Sequence, residues 1–228
     1  MNKMRYLIFD SGPLINFSMN GLLDLLEKLK KEFKGEFLIT KEVKEEIIDV
    51  PKSIPRFELG ALKLENLFKN GIIKYADLSE NDVNELKETR NYLMQIANTL
   101  FKTKNKEIHL IDKGETAALA LSMLMKKKTN YDVPLVIDER TTRMLCEKPE
   151  NLRKLMEKKL HTLIKANTKN YNFFTGFKII RSTELAFIAY KKNLFDLKDS
   201  KVLEATLYGL KFNGCSISEN EVHDMIGL

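Results

Sequence analysis

The hydrophobic positions change period several times along the chain, and each change marks an element. RYLIF is a short apolar run that ends at Asp10, and Gly12-Pro13 break it. Over LINFSMNGLLDLLEKLKKEF, Leu22, Leu23, Leu25, Leu26, Leu29 and Phe33 fall at helical spacing, and Gly35 is expected to close that helix. EFLIT reads as a second strand, Thr40 as the N-cap of a helix over KEVKEEIIDV, and Pro51 as its stop. RFELGALKLENLFKNG predicts a helix and GIIKYADL a third strand. Ser79 or Asn81 opens a long helix with Val83, Leu86, Leu93, Ile96, Ala97, Leu100 and Phe101 on one face. After the polar KTKNKE, the small and apolar residues of IHLIDKGETAALALSMLMKK suit a helix packed flat against a sheet. DVPLVID is a fourth strand whose continuous apolar run fits burial on both faces.

Strands alternating with helices over residues 1–140 predict an α/β fold with a parallel sheet. Beyond Arg140 the rhythm changes. TTRMLCEK starts a helix, residues 150–170 (ENLRKLMEKKLHTLIKANTKN) predict a basic amphipathic helix, and NYNFFTGFKII a loop plus a short strand. STELAFIAYKKNLF, KDSKVLEATLYGLKF and SENEVHDMI predict further helices. The expected division is a core over 1–146, a basic helical insertion over 147–178, and a helical part over 179–228 that packs on the core.

Composition narrows the class. A chain of 228 residues, 43% hydrophobic and 31% charged, is expected to be soluble and globular with a full core. No stretch approaches the ~20 apolar residues of a membrane helix, and the N-terminus runs into a strand pattern rather than a signal peptide. The expectation is a cytoplasmic protein with no membrane partner. Cys146 and Cys215 show no metal-ligand spacing and are expected to be free, buried thiols. The net charge is +6, with 23 Lys/Arg against 22 Asp/Glu in residues 1–140 and 15 against 10 in 141–228. That imbalance fits a solvated surface, or a polyanion-binding flank.

Four acids stand where strands give way to helices: Asp10, Glu46, Glu115 and Asp138. A parallel sheet gathers its strand ends along one edge, so residues distant in sequence can share a crevice there. Two carboxylates ~5 Å apart repel by about 3 kcal/mol at an effective dielectric of ~20, so a cluster calls for protons, basic side chains or Mg²⁺/Mn²⁺. Each acid also has a simpler reading. Asp10 could cap a helix, and Glu46 could lie on a solvated helix face. Glu115 could complement the helix dipole or close a capping box with Asp112. At the fourth position, Asp138 or Glu139 is the ligand, and the other would pair with an arginine. The hydroxyl of Ser11 is placed to orient a metal-bound water. A phosphate loop, GxGxxG, HExxH and CxxC are all missing, and His109, His161 and His223 share no spacing with a nucleophile.

FDSGPLINFSMNGLLDLL, ITKEVKEEI, GETAALALS and LVIDERTTR resemble, in order and spacing, the four acidic motifs of the PIN-domain family, over about residues 5–145. TELAFIAYKKNLFD and LYGLKFNGCSIS resemble the C-terminal tail of a prokaryotic PIN branch related to VapC-type toxins. The resemblance implies a three-layer α/β/α sandwich around a parallel sheet and a Mg²⁺- or Mn²⁺-dependent ribonuclease. Asp10, Glu46, Glu115 and Asp138 would be its catalytic acids, with Asp10, Glu115, Asp138 and Glu139 as the metal candidates. A homodimer, and an antitoxin or other protein partner, are family-based expectations. The substrate would be single-stranded or structured RNA. Lys154, Lys158, Lys159, Lys165 and Lys169 would meet its phosphates and Tyr171, Phe173 and Phe174 its bases, unless these aromatics simply pack the insertion onto the sheet. A nuclease-inactive module that binds RNA or a protein, a toxin of a toxin–antitoxin pair and a structure-specific DNA nuclease are the competing readings.

Overall fold

The computed structural model describes residues 5–104 and 106–228. β1 (Tyr6–Phe9) leads into α1 (Ser11–Met19) and α2 (Leu23–Phe33). β2 (Glu36–Ile39) leads into α3 (Lys41–Lys44), which runs on as a π-helical turn over Glu45–Asp49 and a 3-10 turn over Pro51–Ser53, then α4 (Pro55–Lys69). β3 (Ile73–Tyr75), α5 (Glu80–Thr99), β4 (Phe101–Lys102) and α6 (Lys113–Thr129) follow. β5 (Leu135–Val136) precedes α7 (Arg140–Glu147) and α8 (Pro149–Leu160). β6 (Lys165–Ala166), a 3-10 segment over Thr168–Phe173, β7 (Ile179–Ile180), α9 (Ser182–Lys191), α10 (Val202–Phe212) and α11 (Glu219–Gly227) complete the order.

The main sheet has five strands in the order β3-β2-β1-β5-β7, every neighbouring pair parallel. Strand pleating sends alternate side chains to opposite faces, and a separate core forms on each. Ile8, Leu38, Leu135 and Ile137 point into a core with α5, α6, α7 and α8. Leu7, Phe9, Phe37, Ile39 and Val136 point into a second with α1, α2, the π-helical turn, α4 and α9. The result is an α/β protein with helices on both faces of a parallel sheet. Ala117, Ala118 and Ala120 let α6 lie close to the strands, and all three are buried. The chain runs outward from β1 to β2 and β3, then returns to the other side of β1 as β5. The order therefore reverses between β1 and β5, and the crevice at their carboxyl ends is where open α/β sheets bind ligands.

Several sequence expectations are met locally. Thr40 Oγ1 accepts the Val43 N–H at 3.3 Å, and Ser79 and Asp82 form a reciprocal cap on α5. Three expectations need correction. The helix expected after Pro13 is two helices, because Gly21 adopts a φ of +69° that turns the chain between them. The second ends at Lys34 in a left-handed conformation, one residue before Gly35. The helix expected over 150–170 ends at Leu160 with His161 at a φ of +49°, because the chain then forms β6, which pairs antiparallel with β4. β7, beyond that segment, supplies the fifth strand of the main sheet. Among the described residues no helix is long and apolar enough to cross a membrane. Cys146 and Cys215 are free and buried, and burial pushes the Cys215 thiol up to about 12.

Candidate active site

Asp10 is the residue between β1 and α1, so the strand end delivers its carboxyl into the β1/β5 crevice. It is 3% exposed, and its Oδ1 is buried without a hydrogen-bond partner. Burial pushes its pKa up to about 8; the neighbouring charges of Glu115 and Glu46 add to the rise, and the Ser11 and Gly12 N–H groups oppose it. Asp10, Glu46 and Glu115 are thus electrostatic neighbours although the chain separates them widely.

Glu46 arrives from the π-helical turn after α3. π turns are frequent at functional sites, and here the extra residue per turn sets the aim of the acidic stretch. Its carboxylate lies over Gly114: a Cβ there would stand 2.6 Å from Glu46 Oε1. The missing side chain of Gly114 is what admits Glu46 to the crevice. Glu115 enters from the first turn of α6. Burial raises its pKa, as do the charges of Asp112, Glu46 and Glu139, against the pull of its own backbone N–H. Glu115 Oε2 also accepts the Asp112 N–H at 3.2 Å, so the capping box read from the sequence is present as well. Asp112 itself is exposed, its carboxylate 2.7 Å from His109 Nε2.

Asp138 lies beside Asp10: a Cβ on Gly12 would fall 3.7 Å from Asp10 Oδ2 and 3.9 Å from Asp138 Cβ. Its position is as the sequence suggests, but its carboxylate is fully engaged. Oδ1 accepts the Ser182 N–H at 2.7 Å, and Oδ2 accepts Ser182 Oγ at 2.7 Å and Asn16 Nδ2 at 3.0 Å. Asp138 therefore pins the N-terminus of α9 to the end of β5, and the Ser216 N–H donates to its backbone carbonyl at 3.1 Å. Glu139 caps α7, with Oε2 accepting the Thr142 N–H at 2.6 Å. Asn16 and Ser182 are the residues that sequence reasoning missed. Asn16 sits one and a half helical turns after Asp10, a polar residue amid LINF, and that misplaced polarity was the available signal.

Among the described residues, no group of three or more His, Cys, Asp or Glu side chains is arranged to hold a metal ion as it stands. The donor chemistry nevertheless suits a hard cation: Asp10 Oδ1 lacks a donor, and Glu46 and Glu115 stand near enough for their charges to raise the Asp10 pKa. Away from the crevice, Lys154, Lys158, Lys159, Lys165 and Lys169 are exposed and make no ion pair among the described residues. Phe174 is fully buried, so it offers no face for base stacking. Phe173 packs edge-on to Tyr92, and Tyr171 packs edge-on to Phe101 and donates to Glu150 Oε2 at 3.2 Å. These rings hold the 3-10 segment to the core.

Fold and site together define an α/β protein with an acidic crevice at the topological switch point of a parallel sheet. Compared with known proteins, the chain matches no family model, no curated protein and no solved structure.

Proposed function

We propose that the chain is a PIN-type, metal-dependent endoribonuclease that hydrolyses RNA phosphodiester bonds. The observation that carries this reading is the buried, donorless Oδ1 of Asp10 in a crevice shared with the carboxylates of Glu46 and Glu115. A folded chain rarely leaves a buried oxygen unsatisfied without a use for it. Asp10, Glu46 and Glu115 would hold Mg²⁺ or Mn²⁺, with Glu139 near enough to Glu115 to act on its charge. When bound, such an ion lowers the pKa of a coordinated water and offsets charge on the phosphoryl oxygens. The chain's own contribution is positional: β1 and α6 fix Asp10 and Glu115 on rigid elements, and Ser11 supplies a hydroxyl at the crevice. Asp138 holds the surrounding frame through Ser182 and Asn16 rather than offering free oxygens.

The test is cleavage of single-stranded RNA with Mn²⁺ by the purified full chain. We expect activity that EDTA removes and that Asp10→Asn and Glu115→Gln each reduce at least a hundredfold. Cleavage that survives both substitutions would sink the proposal. A second reading, a nuclease-inactive module that binds RNA, is favoured by one observation: as they stand, the acids do not converge on a point. RNA binding in Mn²⁺ with no turnover would select it.

A further inference from the structure

A cavity of about 280 Å³ opens at the carboxyl ends of β2 and β3, between α5 and α6. Tyr75, Leu78, Leu86, Ala117 and Leu121 give it apolar walls, and the exposed Lys41 and Lys87 stand on its rim. Glu42 and Arg90 also line it. They are ion-paired through Oε1 and Nη1, and each side chain is only 14% exposed. Phosphodiester hydrolysis by the acidic crevice does not use this pair.

The cavity and the crevice share two walls. Glu42 and Glu46 lie on the same continuous helical stretch, four residues or ~6 Å of rise apart, and Ala117 follows Glu115 on α6. The elements that wall the cavity are therefore the same ones that bring Glu46 and Glu115 to the crevice. An apolar slot beside a part-buried carboxylate and guanidinium fits one base in particular. Guanine presents N1–H and N2–H donors side by side, which a carboxylate accepts, and O6 and N7 acceptors, toward which a guanidinium directs two N–H groups; Arg90 spends one proton of Nη1 on Glu42 and Nε with one proton of Nη2 on Asn91, which leaves one proton on each Nη. Adenine and the pyrimidines lack that combination.

We propose that this cavity is a guanine-binding subsite for the nucleic-acid strand whose phosphate enters the acidic crevice. The source of the strand rests on the nuclease reading above, whereas the base preference rests on the cavity alone.

The experiment is fluorescence anisotropy of the full chain in EDTA with labelled hexauridylate, and with the same oligomer carrying a single internal guanosine or adenosine. With a base contact of this kind the guanosine oligomer should bind about tenfold more tightly than the other two. Glu42→Gln should cut that preference below about threefold, and Leu86→Trp, which fills the slot, should remove it while circular dichroism shows the fold intact. Equal binding of all three oligomers, or a guanosine preference untouched by both substitutions, overturns the subsite. The two proposals fail separately. RNA cleavage in Mn²⁺ with no guanosine preference rejects the subsite and leaves the nuclease standing. Guanosine-selective binding by a chain that never cleaves rejects the nuclease and leaves the subsite.

Discussion

Replacing Asp10 by asparagine should make the metal-free protein more stable, not less, and the gain should grow with pH. In the unfolded chain this carboxyl ionises at its ordinary 3.8, whereas in the fold burial and the charges of Glu115 and Glu46 hold it at about 8. Between those values the folded state binds the proton that the unfolded state has released, so stability falls as pH rises through the window. Each unit of displacement is worth about 1.36 kcal/mol, which gives a loss approaching about 5 kcal/mol at about pH 7.5 and almost none at about pH 4. Relaxation and water entry into a crevice that contains an exposed glutamate reduce this, and we expect about 2–4 kcal/mol. At ~2–4 °C per kcal/mol for a chain of this size, the difference in Tm is several degrees.

The assay is thermal melting of wild type and Asp10→Asn in EDTA across that pH range. The difference between the two proteins cancels every titrating group that does not interact with Asp10, and it should open from near zero at the acid end to its full size near neutrality. Adding Mn²⁺ should close it from the other side, by raising the wild-type Tm and leaving the variant unmoved; ligand at a hundred times its Kd contributes ~2.7 kcal/mol. A variant that is destabilised equally at both ends of the range would refute the electrostatic argument, because the side chain would then be holding structure rather than storing repulsion.

Asp138→Asn should act with the opposite sign: an amide has one acceptor oxygen where the carboxylate has two, so its NH2 must face either the Ser182 N–H or the Ser182 Oγ and Asn16 Nδ2 pair, and we expect a loss of about 1.5–3 kcal/mol by denaturant melting. Gly114→Ala should separate activity from folding, because its Cβ meets only the mobile end of Glu46; stability should change by less than about 1 kcal/mol while RNA cleavage falls sharply. Glu221 is subject to burial that raises its pKa, but the Ser218 N–H and hydroxyl and the Arg181 guanidinium outweigh this and hold it at about 2. Its stabilisation is therefore complete above its ordinary 4.5 and lost as pH falls from there toward about 2, and amide exchange in α11 should accelerate over that window in wild type but not in Glu221→Gln.

What the sequence revealed depended on whether the cause was local. The strands, the Thr40 and Ser79 caps and the flat, alanine-rich α6 follow from spacing and neighbours, and the structure has all of them. The break at Gly21 was visible as a glycine but obscured by a helical pattern that resumes after it. The end of α8 depended on the pairing of Lys165–Ala166 with the distant Phe101–Lys102, which no local period encodes. Tyr171, Phe173 and Phe174 have the composition of a stacking platform; only the tertiary fold shows that one is sealed in the core and the others are braced against Phe101 and Tyr92.

The candidate site illustrates the same division at a finer scale. Reading acids from strand ends treats Asp10 and Asp138 as equals, and in position they are, since both lie at the point where the strand order reverses. Their hydrogen bonding differs because of two residues that carry no charge. Asn16 and Ser182 bring donors to both oxygens of Asp138, and it serves to fasten α9 to β5. No donor reaches Oδ1 of Asp10, and the charges of Glu115 and Glu46 raise its pKa. A fold that supplies full hydrogen bonding to one of two adjacent buried carboxylates has the means to do so for the other. That it does not is the physical argument for a role of Asp10 outside the fold's own stability, and it makes Asp10, rather than Asp138, the residue on which the functional reading turns.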